Sequence, residues 1–392
     1  MTDSDRVLSY AEAREAALRA RAVLVEHAPA TDRDAAFPAE PVAALRAERL
    51  LSAAVPKEYG GHGLAPDELA ALAAVLGGGC GSTAMVWAMH QLQLACLAGA
   101  AATSPELAAY LREASAGQLL VASVTSEAGV GGSLRESRCA LVPDDGELLL
   151  EKEATTVSYG AYADGFLVTA RSRPDAAPTD QVLVLVRADQ ARLTRTGEWD
   201  TLGMRGTCSP AHSLSARVPA AQVLPAPFGE IATRCMVPLS HLLWAGVWTG
   251  IAADAVRRAA SFARARARAR LRSGAAVDDP RLGQAYASLR VLQDSVRQFG
   301  ADYTRFTAEP DADTTAITVR ANALKTSVST GCLRVVEQAL EICGMAGYSE
   351  SGPHSVARHL RDLHSARLMI ANSRLDQSNS QLLLLGGSVI DA

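Results

Sequence analysis

The sequence predicts an α+β protein in which a β domain lies between two helical domains. Three observations predict this order. The first hundred or so residues have the composition of helices, short β-rich runs begin near residue 119, and helical periodicity returns after about residue 232. We therefore expect an N-terminal helical domain, a middle β domain and a C-terminal helical domain, which span residues 1–117, 118–230 and 231–392.

The N-terminal region contains several segments with the composition of helices. The segment AEAREAALRARAVLVEH contains neither Gly nor Pro, and DELAALAAVLG is followed by the glycines at 77–79, which end helices readily. The run from Gly81 to Ala100 is almost entirely apolar. A helix of this composition is expected to be buried on most of its sides.

The middle region consists of short β-rich runs, which read LLVASVT, RCALV, ELLLEKE, GFLVTAR and QVLVLVRA. Turn-forming residues separate these runs, as in PDDG at 143–146 and RPDAAPTD at 173–180. The pattern predicts strands that continue until about residues 226–230.

The clearest helix is predicted between residues 314 and 346. Its apolar positions repeat at steps of three and four residues, which is the spacing of one helix face. These positions are Ile317, Ala321, Leu324, Val328, Cys332, Val335, Ala339 and Ile342. We expect glycines at 344 and 347 to end this helix, and the segments 273–280 and 308–313 to interrupt the helices before it.

Composition and charge exclude several classes of function. The 392 residues are 48% hydrophobic, and the formal net charge of −4 gives no electrostatic footprint for nucleic acid. The polar start MTDSDR lacks the apolar segment of a signal peptide, and we expect no membrane span. Seven cysteines without a CxxC pair favour free thiols in the cytoplasm and no metal site. The run ARARARARLR at 263–272 is interpreted as a solvated helix end or a subunit contact.

Four glycine-containing motifs occur in order along the chain. They read EYGGHGL from residue 58, TSEAGVGGS from 125, LGMRGTCSP from 202 and EICGMAGY from 341. Glycine permits tight turns that a Cβ atom would obstruct. A Ser/Thr–Gly loop after a strand also exposes N–H and hydroxyl groups that can bind a polar ring edge or a pyrophosphate.

Together with LRDLHSAR from residue 360, these motifs make the whole chain resemble the acyl-CoA dehydrogenase family. The four motifs are similar to the family's YGGxGL, TEPGAGSD, LGxRxS and QxLGGxGY patterns. The resemblance implies a β-barrel-like middle domain and a C-terminal four-helix bundle. It also implies an FAD between the β domain and the helices, and a homodimer or homotetramer.

The resemblance implies a set of residues beside the flavin ring. Two groups would bind its pyrimidine edge: the pair that starts the second motif, Thr125 and Ser126, and the turn that ends it, Gly131, Gly132 and Ser133. Two further residues occupy positions where many members have a tryptophan and a threonine beside the flavin, namely Thr156 and Ser158.

Four other residues are implied to contact the rest of the FAD. Arg272 occupies the position of an arginine that binds the pyrophosphate, and Asn372 is expected to bind the ribityl chain or the substrate. Glu341 and Gly344 belong to the turn that usually reaches the FAD of a neighbouring subunit. A glutamate beside a pyrophosphate would be electrostatically unfavourable.

The usual catalytic base of the family is missing. Dehydrogenation of an acyl thioester needs a base within hydrogen-bonding reach of the α-proton. Most members supply a glutamate eight residues after the Asp of the RD pair, and this position is Ile370. Other members use a glutamate early in the third domain, near Ser240 and His241. Three histidines are candidate substitutes: His241, His90 and His364.

Three functions are compatible with these features. The first is FAD-dependent dehydrogenation of an acyl thioester on CoA or an acyl carrier protein, in polyketide extender-unit supply for example. With its non-standard base, such an enzyme could desaturate away from the α,β position and pass electrons to an acceptor protein. The second is a monooxygenase of the same fold that acts through a flavin C4a-hydroperoxide and needs no such glutamate. The third is a non-catalytic flavin-binding scaffold.

Overall fold

The computed structural model describes residues 6–131, 133–272 and 279–385. The N-terminal region forms helices α1 (Tyr10–Arg33), α2 (Ala39–Ala47), α3 (Pro66–Gly77), α4 (Gly81–Ala101) and α5 (Pro105–Gly117). Helix α1 begins with a capping box, in which Ser9 and Glu12 exchange side-chain and backbone hydrogen bonds. Helix α4 is buried along almost its whole length, which confirms the prediction from its apolar sequence.

The middle region forms two sheets. Its strands are β1 (Val121–Val124), β2 (Val142–Asp144), β3 (Glu147–Ala154), β4 (Gly165–Arg171), β5 (Gln181–Arg187), β6 (Ala191–Arg195) and β7 (His212–Val218). One sheet has the order β1-β4-β5, with β1 parallel to β4, and the other is antiparallel with the order β2-β3-β7-β6. Within the described residues these strands form two sheets, and a sheet domain between two helical regions confirms the predicted order of the fold.

The C-terminal region is helical again. It consists of α6 (Phe228–Ile231), a π-helical turn at Ala232–Met236, α7 (Val237–Arg272), α8 (Pro280–Thr307), α9 (Thr314–Cys343), α10 (Met345–Tyr348), α11 (Ala357–His364) and α12 (Asn372–Leu385). Helix α9 packs against α7, α8 and α12. All eight apolar positions predicted for one face of α9 are buried, and Gly344 ends the helix in a left-handed conformation.

The N-terminal and C-terminal helices meet at two glycines of α7. A Cβ atom at Gly250 would lie 2.2 Å from the Ala74 carbonyl oxygen, and one at Gly246 would lie 2.6 Å from that of Ala70. Helices α3 and α7 therefore touch backbone to backbone, an approach that only glycine permits at these positions. This contact fixes α7 against the N-terminal domain.

Among the described residues, one continuous helix, Phe228–Ala269, is long and apolar enough to cross a membrane. The sequence had led us to expect no such segment. Because 89% of its most apolar window is buried inside the protein, the helix has the burial expected of a core helix.

Candidate active site

A cavity of about 680 Å³ lies where the β domain meets helices α4, α7 and α11. Its size is within the range of sites for small molecules and cofactors. A second, more polar groove of about 800 Å³ lies near the N-terminus, where ion pairs such as Arg19–Glu48 line it. Because none of the sequence-predicted site residues lines that groove within the described chain, we take the first cavity as the candidate site.

One wall of the cavity is made of hydroxyl groups from the ends of β1 and β3. Thr125 and Ser126 follow β1, and Thr156 and Ser158 follow β3. The Ser126 hydroxyl donates to the Thr156 carbonyl at 2.7 Å, so the two strand ends are joined directly. Ser209 donates to the Ser158 hydroxyl at 2.8 Å and extends this wall. Four of the five hydroxyl residues predicted beside the flavin therefore lie together.

A buried ion pair supports the hydroxyl wall from behind. Lys152 donates to the carboxylate of Glu127 at 2.9 Å, and both side chains are almost completely buried. Burial opposes ionisation of Glu127, but bonds from Ser137 and Lys152 outweigh it and lower the pKa of the carboxyl group. Because Glu127 directly follows Ser126 in the chain, the pair fixes the start of the TSEAG loop.

The opposite walls are apolar. Helix α4 presents Met85, Met89 and Leu92 to the cavity, at the three- and four-residue steps of one helix face. Trp199, from the connection between β6 and β7, and Trp244, from α7, supply the aromatic surfaces. The cavity therefore combines one polar wall with apolar surroundings.

Residues 361–370 close the cavity at the side of α11. Ile370 lines it with a φ of +49°, a left-handed conformation that is rare for a β-branched residue. The Ile370 carbonyl accepts a hydrogen bond of 2.7 Å from Lys325, which is fully buried on α9. Burial lowers the pKa of Lys325 to about 8. The position that the family uses for its base thus lies in the cavity wall, in a strained backbone held by a lysine.

Arg361, the one arginine among the described residues that line the cavity, is already paired. Arg361 donates to both carboxylate oxygens of Asp32, at 2.8 and 2.5 Å, and to Glu350 at 2.9 Å. Hydrogen bonding to Asp32 raises the pKa of Arg361. Its positive charge is therefore neutralised by groups of the protein itself.

The three candidate histidines occupy different environments, and only His364 lines the cavity. His90 is fully buried, and its ring nitrogens bond the Leu51 carbonyl at 2.7 Å and the Val121 N–H at 3.0 Å. Burial lowers the pKa of His90 to about 4. His90 does not line the cavity, and its ring instead joins β1 to the N-terminal domain.

His241 is also displaced from the cavity. Its neighbour Ser240 lines the cavity, but one residue further the helix has turned and His241 lies in the bundle, with its ring centroid 5.8 Å from that of Trp244. Burial and the nearby Lys325 lower its pKa to about 3, opposed by the Ala321 carbonyl. A fully buried, neutral ring outside the cavity cannot act as a base on a bound substrate.

The residues predicted to contact the distal part of an FAD do not line this cavity. Arg272 and Glu341 are exposed at the ends of α7 and α9, and Gly344 adopts a left-handed turn beside α10. The amide of Asn372 faces α9, where its oxygen accepts from Lys325 at 2.8 Å and its nitrogen donates to Ser329 at 3.0 Å. Asn372 therefore binds α12 to α9 and is not placed against the cavity.

Gly131 and Ser133, from the end of the second motif, are not among the described residues that line the cavity. The Gly131 carbonyl accepts a bond of 2.7 Å from Arg374, and the Ser133 hydroxyl accepts one of 3.2 Å from the Arg135 N–H. Gly132 lies outside the described residues. The neighbouring Leu134 is part of the lining.

Two family models match the chain. The acyl-CoA dehydrogenase N-terminal domain matches residues 11–118, and the acyl-CoA dehydrogenase C-terminal domain matches residues 238–370. The chain belongs to the acyl-CoA dehydrogenase family. It is thereby a member of a group of flavin-dependent oxidoreductases, and the family expected from the four motifs is confirmed.

Similar proteins include members with different activities. The amino sugar nitrososynthase DnmZ of Streptomyces peucetius is 27% identical over 355 residues, which cover 86% of this chain and 84% of that protein. The probable acyl-CoA dehydrogenase YngJ of Bacillus subtilis is 24% identical and covers 89% and 90%. The FMN-bound structure of TdsC from Paenibacillus sp. A11-2 superposes with a TM-score of 0.84 at 21% identity, over 95% and 97% of the two chains. The family fold is therefore shared over the whole chain.

The cavity fits a flavin ring by the chemistry of its walls. A flavin has one polar, pyrimidine-like edge and an otherwise aromatic body. The hydroxyls of Thr125, Ser126, Thr156 and Ser158 offer donors and acceptors on one side, and methionine and tryptophan side chains offer apolar contact on the other. These four hydroxyl residues would hold the polar edge.

Several residues of the site could not be found from sequence motifs. Lys325 has no local signal, because a lysine in an amphipathic helix is ordinarily exposed. Asp362 belongs to the recognised RD pair, but nothing in the sequence indicates that it is buried beneath the cavity wall. The contact between Glu127 and Lys152 joins residues 25 positions apart. The one sequence signal for such a pair lies in the strand segment ELLLEKE. There Lys152 alternates with Glu151 and Glu153, so it takes the face of the strand that the two glutamates do not.

Proposed function

We propose that this protein is a flavin-dependent monooxygenase that oxygenates a small organic substrate. One observation carries the proposal: among the described residues that line the cavity, none is Asp or Glu. Ile370, at the usual position of the family's glutamate, lines the cavity, and so does Ser240, which with His241 lies near the alternative position. Removal of an α-proton from a thioester needs a positioned base of suitable pKa, and no carboxylate in this lining supplies one.

The residues of the chain support oxygenation in three ways. The hydroxyl wall would position the polar edge of the ring that FAD and FMN share. The apolar walls exclude water, which protects a reactive oxygen species from decay. His364 offers an imidazole in the lining, a side chain that commonly serves in general acid–base catalysis. A bound flavin, once reduced by an external donor, would supply the electrons that activate dioxygen.

Similarity supports the same class of reaction. The relative DnmZ, which matches most of this chain, is named as an amino sugar nitrososynthase. We propose FAD as the cofactor, since the family resemblance implies it, and a reductase as the source of electrons. The homodimer or homotetramer and the cytoplasmic location remain predictions of the sequence.

Oxygen separates the proposal from the family's usual reaction. Protein loaded with FAD is mixed anaerobically with a set of acyl-CoA esters, and its absorbance near 450 nm is followed. We expect no bleaching. The same protein, supplied with a flavin reductase, NADH and ¹⁸O₂, is expected to transfer one labelled atom to an accepted substrate. Rapid anaerobic bleaching by an acyl-CoA would overturn the proposal.

Dehydrogenation of an acyl thioester is the second candidate function, because His364 in the lining could accept an α-proton. Under this alternative the substrate would be carried by CoA or an acyl carrier protein. Ile370→Glu tests it directly. If the cavity accepts acyl-CoA, restoring the carboxylate should produce anaerobic bleaching that the unaltered protein lacks, and His364→Gln should abolish any bleaching that the unaltered protein has.

A further inference from the structure

The cavity has an unusual concentration of methionine. Five of the seven methionines in the chain line it: Met85, Met89, Met204, Met236 and Met369. They come from α4, from the connection before β7, from the turn before α7 and from the segment before α12. Because four separate parts of the chain contribute, the cluster is not the by-product of one apolar helix face. Thioethers are polarisable and make favourable contacts with aromatic rings.

The same lining carries almost no net charge. It contains no Asp, Glu or Lys among the described residues, and the guanidinium of Arg361 is bound by Asp32 and Glu350. A carboxylate, phosphate or ammonium group that entered would lose its hydration without gaining an opposite charge. Such a transfer is strongly unfavourable. The cavity therefore selects against ionised groups.

Four polar atoms of lining residues are buried without a hydrogen-bond partner within the described chain: the donors Trp199 Nε1, Trp244 Nε1 and Arg361 Nε, and one acceptor, on Gln93. The side chain of Gln93 is 1% exposed, and its Nε2 donates to the Met89 carbonyl at 3.2 Å. Its Oε1 is buried and finds no hydrogen-bond partner within the described chain. Buried acceptors are nearly always satisfied, so an unsatisfied one at a cavity wall is a contact for a ligand that donates a hydrogen bond.

We infer that the substrate is an uncharged, largely apolar ring compound with one N–H or O–H group, which donates to Gln93. The methionines and the two tryptophans bind the ring, and the Gln93 amide selects the donor. The inference rests on the proposed function for the choice of cavity, and it names the class of molecule that is oxygenated there. Gln93 acts as a specificity-determining residue.

Binding to the oxidised, FAD-loaded protein tests the inference without turnover. Isothermal titration calorimetry at pH 7 is carried out with four matched naphthalenes. 2-Naphthol is neutral and donates, 2-methoxynaphthalene is neutral without a donor, 2-naphthoate is an anion, and 2-naphthylmethylamine is a cation. We expect 2-naphthol to bind about tenfold more tightly than the methyl ether, as one net hydrogen bond provides. Both ions should bind more weakly than either neutral compound.

Gln93→Met is the matched variant, since it keeps the length of the side chain and removes the acceptor. It should bind 2-naphthol and 2-methoxynaphthalene equally, with the affinity for the ether unchanged. A retained tenfold preference in this variant, or an ion that binds as tightly as 2-naphthol to the unaltered protein, would refute the inference. The comparison of neutral with charged naphthalenes uses the unaltered protein, so it tests the inference even if Gln93→Met does not fold.

The outcome is separable from that of the proposed function. If 2-naphthol binds as expected but no labelled oxygen is transferred to any neutral ligand, the substrate class stands and the monooxygenase assignment fails. If labelled oxygen is transferred to a charged substrate, the assignment stands and the substrate class is wrong.

Discussion

The carboxylate of Asp362 accepts a hydrogen bond of 2.7 Å from the backbone N–H of Met204. This bond joins α11 to a residue of the cavity lining that has a left-handed φ of +53°. Asp362 is 2% exposed, and burial raises its pKa to about 6, against the opposing effect of the Met204 bond. One wall of the cavity thus depends on a carboxyl group that titrates close to neutral pH.

The raised pKa predicts that Asp362→Asn stabilises the protein at neutral pH. In the unfolded chain the carboxyl ionises near 3.8, and in the folded chain near 6, so its ionisation opposes folding as pH rises between these values. The free energy of unfolding of the variant should equal that of the unaltered protein near pH 4 and exceed it by about 1–3 kcal/mol at pH 7. Urea unfolding at several pH values measures this difference. Asp311→Asn, at an exposed position, controls for the loss of a negative charge. A difference that shrinks with rising pH would contradict the explanation.

The buried pair Glu127–Lys152 predicts a larger effect in the β domain. Lys152→Met leaves the Glu127 carboxylate without its counter-ion, and loss of one partner of a buried pair costs about 3–5 kcal/mol. The loop that begins at Thr125 should loosen as well, so FAD should bind more weakly in equilibrium dialysis. Arg173→Met removes one partner of the exposed pair Arg173–Asp175 and should cost less than about 1 kcal/mol. Equal losses in both variants would show that burial of the pair is unimportant.

The parts of the molecule that could be predicted from the sequence are those with a local cause. Helix α9 was predicted because its apolar residues follow the helical period, and Gly344 ends it for a conformational reason. Thr125 and Ser126, which the family resemblance implied, lie in the cavity wall in a hydroxyl–glycine loop directly after β1. These signals depend on neighbours in the chain, and tertiary contacts did not override them.

The failures arise where a position is set by distant parts of the chain. Ser240 lines the cavity, but the side chain of the next residue, His241, leaves α7 on another side and lies in the helical bundle. Asn372 is turned toward α9 by Lys325 and Ser329, which are more than 40 positions away. The Gln93 Oε1 atom lacks a hydrogen-bond partner only because of the way the described chain folds around it. No sequence pattern predicts this.

Substitution by alanine should affect the stability and the turnover of the protein differently at His90 and at His364. His90→Ala leaves the Val121 N–H and the Leu51 carbonyl without partners, so it should lower the free energy of unfolding by about 2–4 kcal/mol. His364→Ala removes a partly exposed group with no such bonds, and should change stability by less than about 0.5 kcal/mol. Thermal unfolding separates these effects. In turnover the order should reverse: His364→Ala should lower kcat because it removes the imidazole from the cavity lining, and folded His90→Ala should keep kcat. An unchanged kcat in His364→Ala would remove this residue from the reaction.

The left-handed backbone of Ile370 predicts that glycine is tolerated there. A non-glycine residue in this conformation costs about 1–3 kcal/mol, which Ile370→Gly would recover, while the Lys325 bond to the backbone carbonyl remains available. The gain is reduced by the greater freedom of glycine in the unfolded chain and by the loss of partly buried side-chain contacts.

Leu368→Gly is the matched comparison for this prediction. Leu368 lies two residues earlier in the same cavity wall, is 76% exposed and has an ordinary φ of −94°. Glycine there should lower the free energy of unfolding by about 1 kcal/mol, since only the entropic penalty operates. Ile370→Gly should leave it unchanged or raise it by up to about 1 kcal/mol. Guanidinium unfolding of the two variants side by side gives the answer. A greater loss for Ile370→Gly than for Leu368→Gly would mean that the side chain of Ile370, and not its backbone strain, dominates the energetics of this wall.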